Sequence, residues 1–464
     1  MVSAVAETVV DGVTVTFDDD GDPDEIAAGL TFAIPPGAET ADTAGLTHLV
    51  WELALASLGL IRQPDYGSFA GGDVEVDVMV DVMVDGTSVE FYPDGSPDEV
   101  VAFLGRLCTA LSQPPTHLLG VVASGLDPAD AVDLDEGCRA LLALRYGRSG
   151  PGATYWLSPE IYRAYTADEV CAHAQQVFTA ATAVLDLDGP LPPGLRLPLP
   201  PGSESTADPA LPARIGRPAW AAMWRARAGL TVRTSSGASA LVATQVLERR
   251  LKSLDQVRTV AVDGGPGMTD WLVVAGGRAS AAPDAVATMW RELETLARDE
   301  VSTKELDRVV GALVDSMRKI TAATEATAEV LDEMVAVRPS DVLTVFRHAL
   351  PTTLITVPYG ERAKLDGVTE VGVATAGYVP DGEVFPSTRF GFKRPEGPRL
   401  VLTFDSISHV DETIATVRRS DATLLDASNG RLVLIGPDLA TVVVDPDRYA
   451  GAESAVQSVA AWFE

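Results

Sequence analysis

Nine prolines crowd a single stretch of 29 residues: Pro190, Pro192, Pro193, Pro198, Pro200, Pro201, Pro209, Pro212 and Pro218. Proline fixes φ and has no amide hydrogen to donate, so such a stretch cannot enter the interior of a helix or a sheet. It reads as a connector between folded units. The 464 residues are long enough for about three domains. The expected division is 1–189, the Pro/Gly-rich linker 190–218, a second unit 219–369, and a short-strand region 370–464.

Before the linker, strands are expected at Asp11–Phe17 and Gly29–Ala38, followed by an apolar helix over Gly45–Gly59. Val74–Val84 places Val at every even position, with mostly acidic residues between, as a strand buried on one face requires. Asp85-Gly86 then predicts a hairpin turn to Ser88–Tyr92. Ser96, Pro97 and Glu99 form a capping-box start for a helix that Pro114-Pro115 ends. Thr166 and Glu169 cap another helix, and Val184–Gly189 closes the unit as a strand. After the linker a similar order recurs: strand 229–234, helix 238–254, strand 271–276, helix 284–298, a capped helix start at 302–306, and strand 354–358. From about 370 come short strands at 399–404, 422–426, 431–435 and 440–444, with an Asn429-Gly430 turn, and a last helix over 452–463. The fold class is therefore α+β, with a small mainly-β module ending in a helix.

Within Gly45–Gly59, His48 and Glu52 are four residues apart and share one face of a helix. Two ligands at that spacing can chelate a divalent metal. The plainer alternative is a buried helix with one satisfied imidazole and one carboxylate reaching solvent at its edge.

The succession of two strands, a Gly-Ala-Glu end (Gly37, Ala38, Glu39) and a Gly-x-x-His helix resembles the start of an M16 peptidase. That family includes pitrilysin, insulin-degrading enzyme and the mitochondrial processing peptidase. The likeness continues through Leu144–Gly152, Pro159–Val170, Val246–Leu251 and Ser302–Leu313, and so spans residues 8 to about 360. It implies two half-domains of one fold joined by the linker, and a zinc motif H-x-x-E-H whose Glu is the general base. Here His48 holds the first His position, Trp51 the base position and Glu52 the second His position. An indole has no basic lone pair with which to take a proton from metal-bound water. A carboxylate can still ligate zinc.

The family's third ligand, a Glu, aligns with Gly125, which has no ligating atom. Asp127 or Asp130 would be the substitutes. The Arg and Tyr with which family members contact substrate align with Asp255 and Val262; Arg258 could replace the Arg, but no Tyr lies near. His173 is expected at the surface or an edge, without a metal role. The resemblance therefore implies a non-catalytic subunit, with no catalytic residue and no zinc of its own. It would pair with an active M16-type zinc peptidase subunit to enclose or position a peptide. Two alternatives stay open: a metallopeptidase with a rearranged zinc site using His48 and Glu52, and a standalone peptide-binding or assembly protein. The final module is similar in element order to a pleckstrin-homology domain, with no basic patch for a lipid headgroup.

A formal charge of −31 opposes binding to nucleic acid or to an anionic membrane, since both need clustered Lys and Arg. It favours basic peptides. Cys108, Cys138 and Cys171 lie far apart in the sequence, which fits reduced thiols in the cytoplasm. The first residues lack a basic n-region, and no apolar run approaches ~20 residues. Gly-x-Ser-x-Gly and the phosphate-binding loop motif are both absent from the sequence.

Overall fold

The computed structural model describes residues 5–18, 22, 24–35, 38–62, 68–71, 79–84, 88–126, 134–202, 218–264, 267–320, 325–371, 378–389, 392–393, 397–411, 414–427, 430–436 and 439–463. It opens with the hairpin β1 (Val5–Val10) and β2 (Val13–Asp18), then β3 (Ile26–Ala33) and α1 (Leu46–Ser57). Asp11 and Gly12 close the hairpin with φ of 49° and 92°, the pair of positive values a two-residue turn of matching twist demands. β1 was not expected from sequence, and β3 stops short of the expected Ala38 because Pro35 and Pro36 follow. Next come β4 (Leu60–Arg62), β5 (Ser68–Gly71), β6 (Met79–Val84) and β7 (Ser88–Gly95). The expected strand over 74–84 is thus seen from Met79; residues 74–78 and the Asp85-Gly86 turn lie outside the described residues.

Helices α2 (Pro97–Ser112), α3 (Leu119–Gly125), α4 (Glu136–Tyr146), α5 (Pro159–Ala164) and α6 (Ala167–Val177) precede β8 (Ala183–Leu187). Both expected capping boxes, Ser96 with Glu99 and Thr166 with Glu169, are present. The strands form one sheet in the order β1-β2-β8-β3-β7-β6-β5-β4. Its inward residues, including Val15, Leu30, Phe32, Phe91 and Leu185, are buried with Leu49 and Leu53 of α1 and with Phe103 and Leu107 of α2. Phe32 sits edge-on to Phe91 and Phe178, with ring centroids 6.2 and 5.1 Å away. The proline-rich residues 190–202 lie along this unit: Leu195 and Leu197 enter its core, and the Arg196 guanidinium donates to the Asp11 carboxylate at 2.8 Å. Residues 203–217 of the expected linker fall outside the described residues.

The second unit comprises β9 (Ala219–Met223), β10 (Ala228–Ser235), α7 (Ala238–Arg250), β11 (Arg258–Asp263), β12 (Met268–Ala275) and α8 (Ala282–Arg298). It continues through α9 (Thr303–Ile320), α10 (Glu325–Ala336), α11 (Pro339–Ala349), β13 (Leu354–Pro358) and β14 (Thr369–Glu370). The sheet order is β11-β12-β10-β13-β9-β14. Alternation along β12 sends Trp271 and Val273 toward α8, while Leu272 and Val274 join the core that contains Leu141 and Leu142 of α4. A helix of the first unit therefore covers one face of the second sheet, which is why β12 reads as an almost unbroken apolar run.

The last residues form β15 (Glu383–Pro386), β16 (Thr388–Arg389), β17 (Phe392–Lys393), β18 (Arg399–Leu402), β19 (Ser406–Val410) and β20 (Ile414–Arg418). These are followed by β21 (Thr423–Asp426), β22 (Leu432–Ile435), β23 (Thr441–Val444) and α12 (Ala452–Ala460). A four-stranded sheet, β15-β18-β19-β20, faces a three-stranded one, β21-β22-β23. Leu432, Leu434, Val442 and Val444 point to the module's own core with Leu400, Ile407, Ala455 and Val459. The alternate residues Val433, Ile435 and Val443 pack instead on Trp156, Leu144 and Met223 of the other two units.

Candidate functional site

The site is built on α1, and its N-terminus has an unusual cap. Gly45 starts the helix with φ of 82°, and a Cβ there would come within 2.6 Å of Leu157 Cδ2 and 2.7 Å of Tyr162 Cε1. No side chain at the cap position receives the first amides. The Glu39 carboxylate does so from outside, accepting from the Gly45 amide at 3.2 Å and the Thr47 amide at 2.7 Å. An anion at a helix N-terminus is favoured by both the free N–H groups and the dipole. Tyr165 donates to the Ala44 carbonyl at 2.8 Å, which fixes the entry to the helix.

His48 is 2 % exposed. Its Nδ1 shares a hydrogen bond of 2.8 Å with the Tyr162 hydroxyl, and its Nε2 lies 3.4 Å from Glu52 Oε1. The Trp51 ring is 4.9 Å from the imidazole, centroid to centroid, and Tyr162 meets it edge-on at 5.5 Å. Trp51 is itself 2 % exposed. Burial drives the Tyr162 hydroxyl well above the ordinary phenol pKa, with the Glu39 charge adding to the effect. The phenol therefore stays protonated as a partner for the imidazole. The i,i+4 reading of His48 and Glu52 thus corresponds to a real contact.

On the other side of the same turn, Thr47 Oγ1 shares a hydrogen bond of 2.8 Å with His173 Nε2, and that nitrogen is 3.9 Å from Glu39. His173 is therefore not the surface or edge residue expected from sequence. The helix α6 that carries it packs against α1 and turns the imidazole inward onto Thr47. Burial depresses its pKa, which Glu39 partly offsets. Glu39, Tyr162 and His173 were not legible as site residues in the sequence, because no short helical spacing links them to His48, and Thr47, though adjacent to it, gains its role only from the distant His173.

The remaining motif positions fall elsewhere. Gly125 is the last residue of α3, a helix that packs on α1 and α5, and a Cβ there would meet nothing within 4 Å. Asp127 and Asp130 lie outside the described residues. Asp255 sits on an exposed turn whose carbonyl accepts from the Gly276 amide at 2.8 Å. Val262 is buried in the core between β11 and α4. Arg258 begins β11, exposed.

A catalytic zinc centre takes three protein ligands and an open position for water. His48 Nε2 and Glu52 supply two donors; the Gly125 position supplies none. Among the described residues, no three His, Cys, Asp or Glu side chains are grouped so as to hold a metal ion. The described residues do not make up such a centre, and Trp51 offers no base beside it.

No known family profile matches the chain, and no curated protein matches it in sequence. Solved structures do. A protease from Helicobacter pylori is matched over 100% of its chain and 77% of this one, at 10% identity and a TM-score of 0.56. The inactive M16 peptidase domain from Pseudomonas fluorescens is matched over 99% of its chain and 78% of this one, at 13% identity and a TM-score of 0.53. The chain has the M16 peptidase fold. The first half of the periplasmic protease PqqL from Escherichia coli belongs with the same set, covering 78% of this chain and 93% of its own, at 10% identity and a TM-score of 0.51. Among the described residues, no helix of this M16 fold is long and apolar enough to cross a membrane.

Proposed function

We propose that this chain is a non-catalytic M16-like subunit, which pairs with an active zinc metallopeptidase subunit and helps to enclose or position a peptide substrate. The observation that carries the reading is the state of His48. Its imidazole is sealed between Tyr162, Trp51 and Glu52, with an indole where a proton acceptor would stand. Hydrolysis of a peptide bond by metal-bound water needs both a held ion and a base, and the side chains on this helix supply neither.

The preference for a basic peptide rests on charge. The face of the first sheet turned away from the helices aligns Thr16, Asp186 and Gly29 in one cross-strand row, with Glu90 and Tyr92 beside them on β7. Tyr92 donates to the Glu90 carboxylate and Thr16 to that of Asp186. Carboxylates and an aromatic ring on an open sheet suit a cationic chain. A cytoplasmic setting rests on the thiols: Cys108, Cys138 and Cys171 are all free, and the first two are buried.

The test is to purify the tagged chain from its native cells, sequence what comes with it, and assay the chain with and without that partner. A co-purifying protein with an intact H-x-x-E-H, and chelator-sensitive peptidase activity only when both are present, is the expected result. Chelator-sensitive cleavage by the purified chain alone overturns it. Zinc near one per chain that disappears in a His48→Ala variant would favour the rearranged metallopeptidase. Repeated purification with no such partner would favour a standalone binding protein.

A further inference from the structure

The last module carries a cleft that the M16-like site does not use. It encloses about 550 Å³ between the start of β15, the turn after β18 and the end of α12, with Glu383, Leu402, Phe404, Arg419 and Trp462 in its lining. Phe404 is 88 % exposed, more than any other large apolar side chain among the described residues. The turn that carries it is pinned. The Thr403 amide donates to the Ser406 carbonyl at 2.8 Å, the Ser406 amide to Thr403 Oγ1 at 3.0 Å, and Thr403 Oγ1 to the Asp405 carboxylate at 2.9 Å. The ring is thus held out in water by an ordered backbone. An aromatic kept exposed beside a cleft is the anchor pattern of a binding surface.

Two further observations fix the kind of occupant. β15 is the first strand of its sheet and, among the described residues, its strand partner is β18; its last residue is tied down, the Pro386 carbonyl accepting from the Ala450 amide at 2.9 Å, which leaves the edge open at Val384, 52 % exposed. An open edge of this kind accepts an added strand through main-chain hydrogen bonds. The rim is acidic: Asp381 and Glu383 line the cleft, Asp405 adjoins Phe404, and Arg419 is the cation opposite them. On a chain of charge −31, that rim draws cationic segments and repels acidic ones.

We propose that this cleft and β15 form a docking site for an extended basic segment of a partner protein, which adds along β15 and seats an apolar side chain against Phe404 and Trp462. The site stands whether or not the chain pairs with a peptidase. Its probe is a fluorescent ten-residue peptide of alternating Lys and Val, compared with the Glu and Val counterpart by anisotropy against the full chain at physiological salt. The Lys peptide is expected to bind and to protect the amides of residues 383–385 from hydrogen exchange. Phe404→Ser should weaken it about tenfold, the loss expected of one stacked aromatic contact. Glu383→Lys should weaken it as well, and both positions are exposed, so matched thermal melting confirms that the variants fold. Absence of binding, equal binding of both peptides, or an affinity indifferent to Phe404→Ser overturns the proposal. So does self-association that Phe404→Ser abolishes, which would assign the cleft to a second copy of this chain.

Discussion

Arg145 Nε lies 3.4 Å from Asp270 Oδ1, and neither side chain is exposed to solvent. Arg145 lies in the last turn of α4 in the first unit, and Asp270 stands on β12 in the second. Asp270 also accepts from Arg233 at 2.9 and 2.6 Å and from the Tyr146 hydroxyl. Arg145 further donates to the carbonyls of Thr231 and Thr352 at 2.9 and 3.0 Å. The two units are thereby joined by a dry, charged junction as well as by apolar packing. Asp270→Ala leaves two guanidinium groups without their carboxylate, and the expected cost is about 3–5 kcal/mol, as for other broken buried pairs. Urea unfolding measures it; a loss below ~1 kcal/mol would mean that water reaches this junction in solution.

Gly45 is the position in α1 where a side chain has nowhere to go. Its positive φ and the nearness of Leu157 and Tyr162 make Gly45→Ala unfavourable by about 2–4 kcal/mol, from backbone strain and overpacking together. A chemical denaturation midpoint unchanged from the parent would show that the helix starts elsewhere.

Glu39 acts on α1 from six residues before it. Glu39→Ala removes the acceptor of two amides and should cost about 1–2 kcal/mol, the upper range for a helix cap. Faster hydrogen exchange should be confined first to the amides of Gly45 and Thr47. Uniform exchange across α1 would refute the local role.

Burial holds both His173 and His409 below the ordinary imidazole value of 6.5, against the opposing charges of Glu39 and Asp411. Both are neutral in the folded chain, whereas the unfolded chain takes up protons near 6.5. Their contribution to stability is therefore complete above about 6.5 and is lost as pH falls toward the lower folded values. Unfolding free energies between about pH 7.5 and 5 should decline, and His173→Gln should flatten that decline. A slope unaffected by the variant would mean that His173 is already solvated.

Ligand and base can be restored separately. Glu52→His with Gly125→Glu exchanges the carboxylate donor for an imidazole and adds the missing third donor beside His48, and a Cβ at 125 meets no neighbour within 4 Å. The double variant should retain about one zinc per chain after dialysis, as a three-ligand centre does. It should still cleave no peptide, because Trp51 takes no proton. Zinc content no higher than the parent's would show that position 125 does not reach the helix.

The sequence by itself determined the local elements and the chemistry of α1. Capping at Ser96 and Thr166, the periods of the helices, and the indole three residues after His48 all act within a turn or two of chain. The α+β order of the two units was legible for the same reason. Tertiary structure decided the rest. Tyr162 meets His48 across 114 positions of sequence and His173 meets Thr47 across 126; Asp270 meets Arg145 through a helix laid on a foreign sheet. Val433 and Ile435 carry the same apolar signature as Leu432 and Leu434, yet only the fold sends one pair to the module's core and the other onto Trp156. Hydrophobic patterning states that a face will be buried, but its partner is set by which surfaces meet once the chain has collapsed.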